Sequence, residues 1–520
     1  MVRACPPLAV LLLAVLGAVP APAAPPATLS DKIGAVIDGP DYKHATWGVL
    51  VVDAKTGATV YSRNPDAMLA PASVTKLFTC AAALVALGPD HTQETIVYQR
   101  GLVRKGTLRG DLVLVASGDL MLGGRTKDGK TVFKNKDHTY SNGGFGDCEV
   151  TDTDPLAGLN ELAKQVKAAG ITQIDGEVLI DDRLFARAQG SGSGPDAVTS
   201  IVVNDNAIDL LVTPGENEGD PAKVVMRPET SLYTMDATVG TGAADSEGSL
   251  QIIPVGPTQF AVRGKVPRGA KPQVRVLSVD EPVQFARALF VEALRRHGVR
   301  AQCAILRPGN HTLPPKSDYE KLQKVASLTS APFKDTVLVT LKVSHNLYAS
   351  ALPCLVAASK GKTTLEAGLK EERKILKDLG LDTSAVSFGG GAGGARSDCV
   401  TARATVQVLQ GMAKRPEWGA YKAALPVLGV DGTLSDTVKE DSPARGKVQA
   451  KTGTLIWYDA ANERFLLKSK ALAGTLTTKS GKELFFCVMV NNVPLPKDVT
   501  AAREGKLMGT LCELIYENGP

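Results

Sequence analysis

The run Leu77-Phe78-Thr79-Cys80-Ala81-Ala82-Ala83-Leu84-Val85-Ala86-Leu87 constrains this chain more than any other stretch. It is free of charge and closed by Gly88, which gives it the length and the terminal glycine of a buried helix. Ser73-Val74-Thr75-Lys76 opens it, with Ser73 expected in the first turn. A serine at a helix start ordinarily serves as an N-cap. Lys76, three residues on, shares its helix face and lies within reach of its hydroxyl. A lysine desolvated against an apolar helix can lose its proton and act as the base for that serine.

The same spacing recurs at Ser359-Lys360-Gly361-Lys362, so the pattern alone is weak. What distinguishes Ser73 is that Ser344-His345-Asn346 and Lys451-Thr452-Gly453 follow it in order. Each of these also has a double: Ser62-Arg63-Asn64 and Lys55-Thr56-Gly57. The Lys55 triplet lies between two short apolar runs and reads as a hairpin turn, and the Ser62 triplet follows it too early in the chain.

At 520 residues the chain can bury two or three cores. A net charge of +5, scattered and without aromatic interleaving, gives no reason to expect a nucleic-acid partner. Arg3, the apolar run Leu8 to Leu16 and Ala21-Pro22-Ala23-Ala24 have the layout of a signal peptide over 1–24. Its apolar core is too short to span a bilayer comfortably, and no later run is long enough, so no transmembrane anchor is expected after cleavage. Removing Cys5 leaves seven cysteines, without Cys-x-x-Cys spacing and with no pairing that can be read from sequence. Cys80, Cys354 and Cys487 read as buried small hydrophobes. The six histidines lack metal-ligand spacing, so neither a metal nor another cofactor is expected.

Along the chain, a helix is expected over Leu29 to Ile37, before the hairpin and Ser73. Strand-like runs then dominate, interrupted by a Gly-, Lys- and Asp-rich stretch from Gly123 to Asp147 that reads as surface loop. Gly190-Ser191-Gly192-Ser193-Gly194 reads as flexible, and Val202 to Val212 as one strand. Helices over Leu347 to Ala358 and Leu365 to Leu379 follow. A strand at Val448 to Thr454, a hairpin about Lys479-Ser480-Gly481-Lys482 and a closing helix complete the chain. The expected organisation is a signal peptide (1–24), a first catalytic part (25–93), one or two inserted strand-rich domains (94–315) and a second catalytic part (316–520).

With these residues in hand, the chain resembles class C low-molecular-mass penicillin-binding proteins of the D-alanyl-D-alanine carboxypeptidase/endopeptidase type. The resemblance also rests on Gly110 to Asp119, Ile174 to Asp182, Val203-Asn204-Asp205-Asn206-Ala207 and the long insert. It implies an α/β (α+β) fold like that of the penicillin-recognising serine transpeptidases and β-lactamases. It further implies an exported, periplasmic or cell-wall hydrolase acting on peptidoglycan stem peptides, with β-lactams as covalent inhibitors. By that resemblance Ser73 is the nucleophile, Lys76 its base, Ser344 a proton relay and Asn346 an orienting amide. Lys451 supplies positive charge, and Thr452, Gly453, Thr454 and Arg396 contact substrate. Burial and the second ammonium of Lys451 are both expected to lower the Lys76 pKa.

Three departures stand out. His345 replaces the usual Asp, and Gly390-Gly391-Ala392-Gly393-Gly394-Ala395-Arg396 keeps the family's glycines and Arg but loses polar side chains. Extra residues, among them Trp457, Tyr458 and Arg464, follow Ile456. A serine β-lactamase is the alternative enzyme, disfavoured by the long Ser73 to Ser344 separation and the lack of a Glu-x-x-Leu-Asn between Ser344 and Lys451. Intact Ser73, Lys76, Ser344, Asn346 and Lys451 argue against a non-catalytic wall-binding protein on the same scaffold.

Overall fold

A computed structural model describes residues 1, 27–143, 147–306, 313–497 and 499–520; the expected signal peptide lies, apart from Met1, outside the described residues. At its centre is a five-stranded antiparallel sheet in the order Thr59–Arg63, Thr46–Asp53, Glu483–Pro494, Arg464–Thr477, Val448–Asp459. Thr46–Asp53 pairs along its whole length with Glu483–Pro494, so the two ends of the chain build one sheet. Both faces of this sheet are covered, which is why Leu484 to Val490 is continuously apolar and buried rather than alternating. The helices Leu29–Ile37 and Ala501–Asn518 pack on one face, and the Thr75–Leu87 group on the other.

Thr75–Leu87 is the hub of that group. Leu77 to Leu84 are shielded on every side by Phe333–Lys342, Asn346–Ser359, Leu365–Asp378 and Ala402–Ala413. A helix surrounded in this way needs no polar face. It ends at Gly88, whose φ of +90° and N–H bond to the Leu84 carbonyl close the last turn. Ser73 is not in its first turn, as expected from sequence, but in a short 3₁₀ turn, Ala72–Val74, just before it. Ala72 holds a φ of +47°, which is unusual for a residue with a Cβ.

A strand-rich region with its own apolar core lies between Thr75–Leu87 and Phe333–Lys342 in the chain; we propose that it is the expected insert. Its largest sheet contains Glu94–Arg104, Thr107–Val115, Gln173–Ile174, Val178–Asp181, Arg300–Ala301 and Gln323–Thr329, and two three-stranded sheets follow Val203. Gln323–Thr329 runs antiparallel to Glu94–Arg104, bringing the start and the end of this region side by side. We propose that this strand closes the insert.

Three sequence expectations are corrected here. Within the stretch read as surface loop, Arg125, Asp137 and His138 are buried, because Asp137 pairs with Arg125 and the two cationic groups are matched by Asp205 and Asp209 from further along the chain. The strand read from Val202 begins only at Ala207. Asn204, Asp205 and Asn206 all adopt positive φ, a conformation that Asn and Asp tolerate. The Gly190–Gly194 stretch is tied to the helix Asn346–Ser359, where Ser191 N–H donates to Ser350 Oγ at 3.2 Å. All seven cysteines among the described residues are free, and six of them are buried. Lys55-Thr56-Gly57 does turn between two paired strands.

Candidate active site

The Ser73 hydroxyl accepts a bond from Lys76 Nζ at 2.8 Å. The same Nζ reaches Asn346 Oδ1 at 2.7 Å and the Ala392 carbonyl at 2.8 Å. Three neighbours use up the three protons of an ammonium. Once one proton leaves, the amine keeps two donors and gains a lone pair. Of the three neighbours only the Ser73 hydroxyl carries a hydrogen, so that lone pair is matched to Ser73. The orientation of the Asn346 amide is fixed independently: its Nδ2 donates to the Ser193 carbonyl at 3.0 Å and to Ser193 Oγ at 3.1 Å. A backbone carbonyl only accepts, which leaves Oδ1 facing Lys76.

Lys76 is wholly buried, and burial pushes its pKa down to about 7. The Asp398 carboxylate opposes that shift but is outweighed. Lys451 is also buried and is held well below the usual lysine range, by burial first and by the Lys76 charge second. Desolvation therefore leads for both lysines, and the mutual repulsion expected from sequence is the secondary cause, felt at Lys451.

A glycine-rich loop supplies the Ala392 carbonyl. Asp398 gathers it by accepting from the N–H groups of Gly389 (2.8 Å) and Ala395 (2.9 Å). A Cβ on Gly391 would stand 2.0 Å from the Ala349 carbonyl, and one on Gly393 only 1.9 Å from that of Ala72. The glycines thus let this loop wedge between the Ser73 turn and the helix Asn346–Ser359. Polar side chains are absent here, but it is the backbone that touches Lys76. Arg396, on the same loop, is exposed and makes no hydrogen bond or ion pair among the described residues.

Ser344 sits at the joint between Phe333–Lys342 and Asn346–Ser359 with a φ of +62°. Its hydroxyl accepts from Lys451 Nζ at 2.8 Å, and its carbonyl accepts from the Tyr140 hydroxyl. His345 points the other way. Its Nδ1 accepts from Tyr348 N (3.3 Å) and so caps the next helix, its ring stacks on Tyr348 at 3.8 Å, and burial lowers its pKa. Asp137, Asp205 and His345 could offer ligand atoms within 4.8 Å of one another, but the Arg125 guanidinium pairs with both carboxylates and takes the place a cation would fill.

Lys451, Thr452, Gly453 and Thr454 lie on the edge strand Val448–Asp459. Gly453 faces the Ser73 turn so closely that a Cβ would meet the Pro71 carbonyl at 2.4 Å. Thr452 Oγ1 donates to Thr433 Oγ1 at 2.8 Å, and Lys470 Nζ donates to the exposed Thr454 hydroxyl at 2.9 Å. The fold therefore brings together Ser73, Lys76, Ser344, Asn346 and Lys451, with Gly453 and the two threonines beside them, and leaves Arg396 at the margin.

Ser193, Ser191, Tyr140 and the Ala392 carbonyl are site components that sequence reasoning missed. Ser191 binds the glycine-rich loop twice, its carbonyl accepting from Gly394 N (2.7 Å) and its Oγ from Ala392 N (3.2 Å). The Gly-Ser stretch expected to be flexible is thus a seam between the insert and both catalytic loops.

A model of the D-Ala-D-Ala carboxypeptidase 3 (S13) family matches residues 29–511. The chain belongs to this family. A relative, the D-alanyl-D-alanine carboxypeptidase of Actinomadura sp. (strain R39), is 31% identical over 82% of this chain and 76% of its own length. The D-alanyl-D-alanine carboxypeptidase DacB of Haemophilus influenzae is 23% identical over 85% of each chain. The crystal structure of penicillin binding protein 4 (dacB) from Haemophilus influenzae superposes with a TM-score of 0.68, covering 91% of this chain and 97% of that one at 21% identity. The fold is thus the α/β penicillin-recognising one with extra strand-rich domains, and the S13 assignment makes the protein a serine-type peptidase of the D-Ala-D-Ala carboxypeptidase group.

Proposed function

We propose that this S13 protein is an exported DD-peptidase that hydrolyses the D-Ala-D-Ala bond of peptidoglycan stem peptides, and D-Ala-diaminopimelate cross-links, through an acyl-enzyme on Ser73. The single observation that carries the reading is the buried Lys76 amine, pushed down to about 7, with Ser73 as the one proton-bearing group among its three hydrogen-bond partners in the described residues.

In this scheme neutral Lys76 takes the Ser73 proton as Oγ bonds to the carbonyl carbon. The N–H groups of Ser73 and Thr454 receive the developing oxyanion, at about 3–4 kcal/mol per donor. The carbon–nitrogen bond then breaks, and Ser344 relays a proton to the leaving amine. Water repeats the sequence on the ester and frees Ser73. Burial and the Lys76 charge lower the Lys451 pKa, and a substrate carboxylate beside Lys451 would raise it and hold the positive charge there, while neutral Lys76 serves as the base. Thr452 and Thr454 offer that carboxylate hydroxyls. A β-lactam would enter by the same steps and stay on Ser73. Export follows from the signal-peptide layout of 1–24 and places the enzyme in the periplasm or cell-wall space; no helix among the described residues is long and apolar enough to cross a membrane.

Defined muropeptides test this reading. The wild type should release a single D-alanine from a pentapeptide and convert a cross-linked dimer to monomers, both read by mass, and Ser73→Ala should do neither. Product formation by Ser73→Ala at the wild-type rate would overturn it.

A further inference from the structure

The edge strand that carries Lys451 to Thr454 does not stop at the site. Val448–Asp459 runs on and turns back as Arg464–Thr477, forming a hairpin that projects past the cleft. Its tip holds Trp457, Tyr458 and Phe465, which are 51%, 61% and 42% exposed. Among the described residues these are the only exposed Trp, Tyr or Phe side chains. Solvent-facing aromatic rings gathered at one place mark a contact surface rather than chance.

Register places Trp457 on the substrate side. Side chains alternate along a strand, so Lys451, Gly453, Leu455 and Trp457 share one face. The irregularity in this pairing falls on the partner strand, where Leu455 pairs with Ser469 and Ile456 with Leu467, leaving Lys468 as the extra residue. That extra lysine is put to use: its ammonium lies 5.9 Å from the Trp457 ring centre and donates to Asn492 Oδ1 at 2.8 Å. On the opposite face Tyr458 and Phe465 pair edge to face at 5.5 Å and stiffen the tip.

The free edge points the same way. The segment Pro426 to Leu428 bonds to Val448 and Ala450, covering only the start of the edge strand. From Lys451 outward no other backbone pairs with this edge among the described residues. A substrate whose carboxylate lies near Lys451 and Thr452, with its scissile carbonyl at Thr454 N–H, must run its preceding residues past Leu455 toward Trp457. Trp457 stands four residues beyond Gly453, about 13 Å along an extended strand. A short stem peptide, at about 3.3–3.6 Å per residue, spans that gap and delivers its sugar-linked end to the tip.

We propose that this hairpin tip, with Trp457 as the stacking platform, binds a pyranose ring of the glycan strand from which the stem peptide hangs. The apolar C–H face of a pyranose matches an indole face, and the tip lies where the peptide ends. The proposal rests on the DD-peptidase reading above and adds to it a preference for glycan-linked over free peptide.

The test compares kcat/KM for a disaccharide-linked pentapeptide and for the same pentapeptide alone, in wild type and in Trp457→Ala and Trp457→Phe. Wild type should favour the glycan-linked substrate about tenfold, a gap of about 1.4 kcal/mol. Trp457→Ala should bring that ratio close to one, and Trp457→Phe should keep part of it. A ratio unchanged in Trp457→Ala, or one that is already about one in wild type, overturns the proposal. So does a variant whose only change is weaker binding to lipid vesicles or loss of self-association. Saturation-transfer NMR with a peptide-free glycan oligosaccharide should show contact in wild type and none in Trp457→Ala. If wild type binds that oligosaccharide yet cleaves neither peptide, the DD-peptidase reading fails while the glycan site stands; absence of contact in wild type overturns the site alone.

Discussion

Lys76→Met should lower the rate of acylation by a β-lactam about 10³-fold, within the usual range for removing a general base. The methionine keeps the stem of the side chain in its apolar slot and removes only the nitrogen that meets Ser73, Asn346 and Ala392. In wild type the rate should climb with pH through a midpoint near 7, because the protonated amine cannot accept the Ser73 proton. In the variant that limb should vanish. Stability should report the same group. Its folded pKa lies below the unfolded value near 10.4, so the unfolded chain binds more protons between about pH 7 and 10.4. Wild-type stability should therefore rise with pH across that window, by up to the order of 4 kcal/mol, and Lys76→Met should abolish that component of the rise. Stopped-flow acylation and chemical denaturation across pH 6–10 measure the two effects. A rising limb near 7 that survives in Lys76→Met would assign it to another group.

Gly453→Ala should cost about 10² in acylation, although it adds only a methyl group. That methyl would stand 2.4 Å from the Pro71 carbonyl and 3.3 Å from both Ala72 and Ala471 Cβ. The nearest of these is backbone, so the strand must retreat from the Ser73 turn instead of a side chain moving aside. A displacement on the order of 1 Å between nucleophile and carboxylate-binding strand is enough for a loss of that size. Overpacking should also cost about 1–3 kcal/mol of stability. Acylation kinetics together with thermal unfolding separate the two, since the variant should remain folded while it acylates slowly. An acylation rate within twofold of wild type would mean that the strand and the turn do not need this close approach.

The parts of the site that sequence could show are those in which residue type carries the chemistry. Ser73 and Lys76 are brought together by a local spacing of three, although Ser73 lies in the 3₁₀ turn before the helix, and the apolar run after them foretold the burial that tunes the lysine. Ser344 and Lys451 were recognisable by their triplets, and their 2.8 Å contact follows from the fold. The components that stayed hidden act through backbone or through distant partners. Ala392 and Ser193 contribute carbonyls, which every residue possesses. Tyr140 reaches Ser344 across 204 positions, and Ser193 reaches Asn346 across 153, so no local pattern links them. Arg125, Asp137 and His138 looked like surface loop because charge usually means solvent, whereas here Arg125 pairs with Asp137, and Asp205 and Asp209 complete the neutralisation of Arg125 and His138 in the interior. The left-handed turn at Asn204 to Asn206 broke a run of apolar residues that otherwise reads as one strand.

The central claim is that Ser73 is the nucleophile, and intact-protein mass spectrometry after exposure to a β-lactam tests it most directly. Wild type should gain the mass of one β-lactam, and peptide mapping should place the adduct on Ser73. Ser73→Ala should gain none. An adduct of the same stoichiometry on Ser73→Ala, or one mapped to Ser344 in the wild type, would contradict the account.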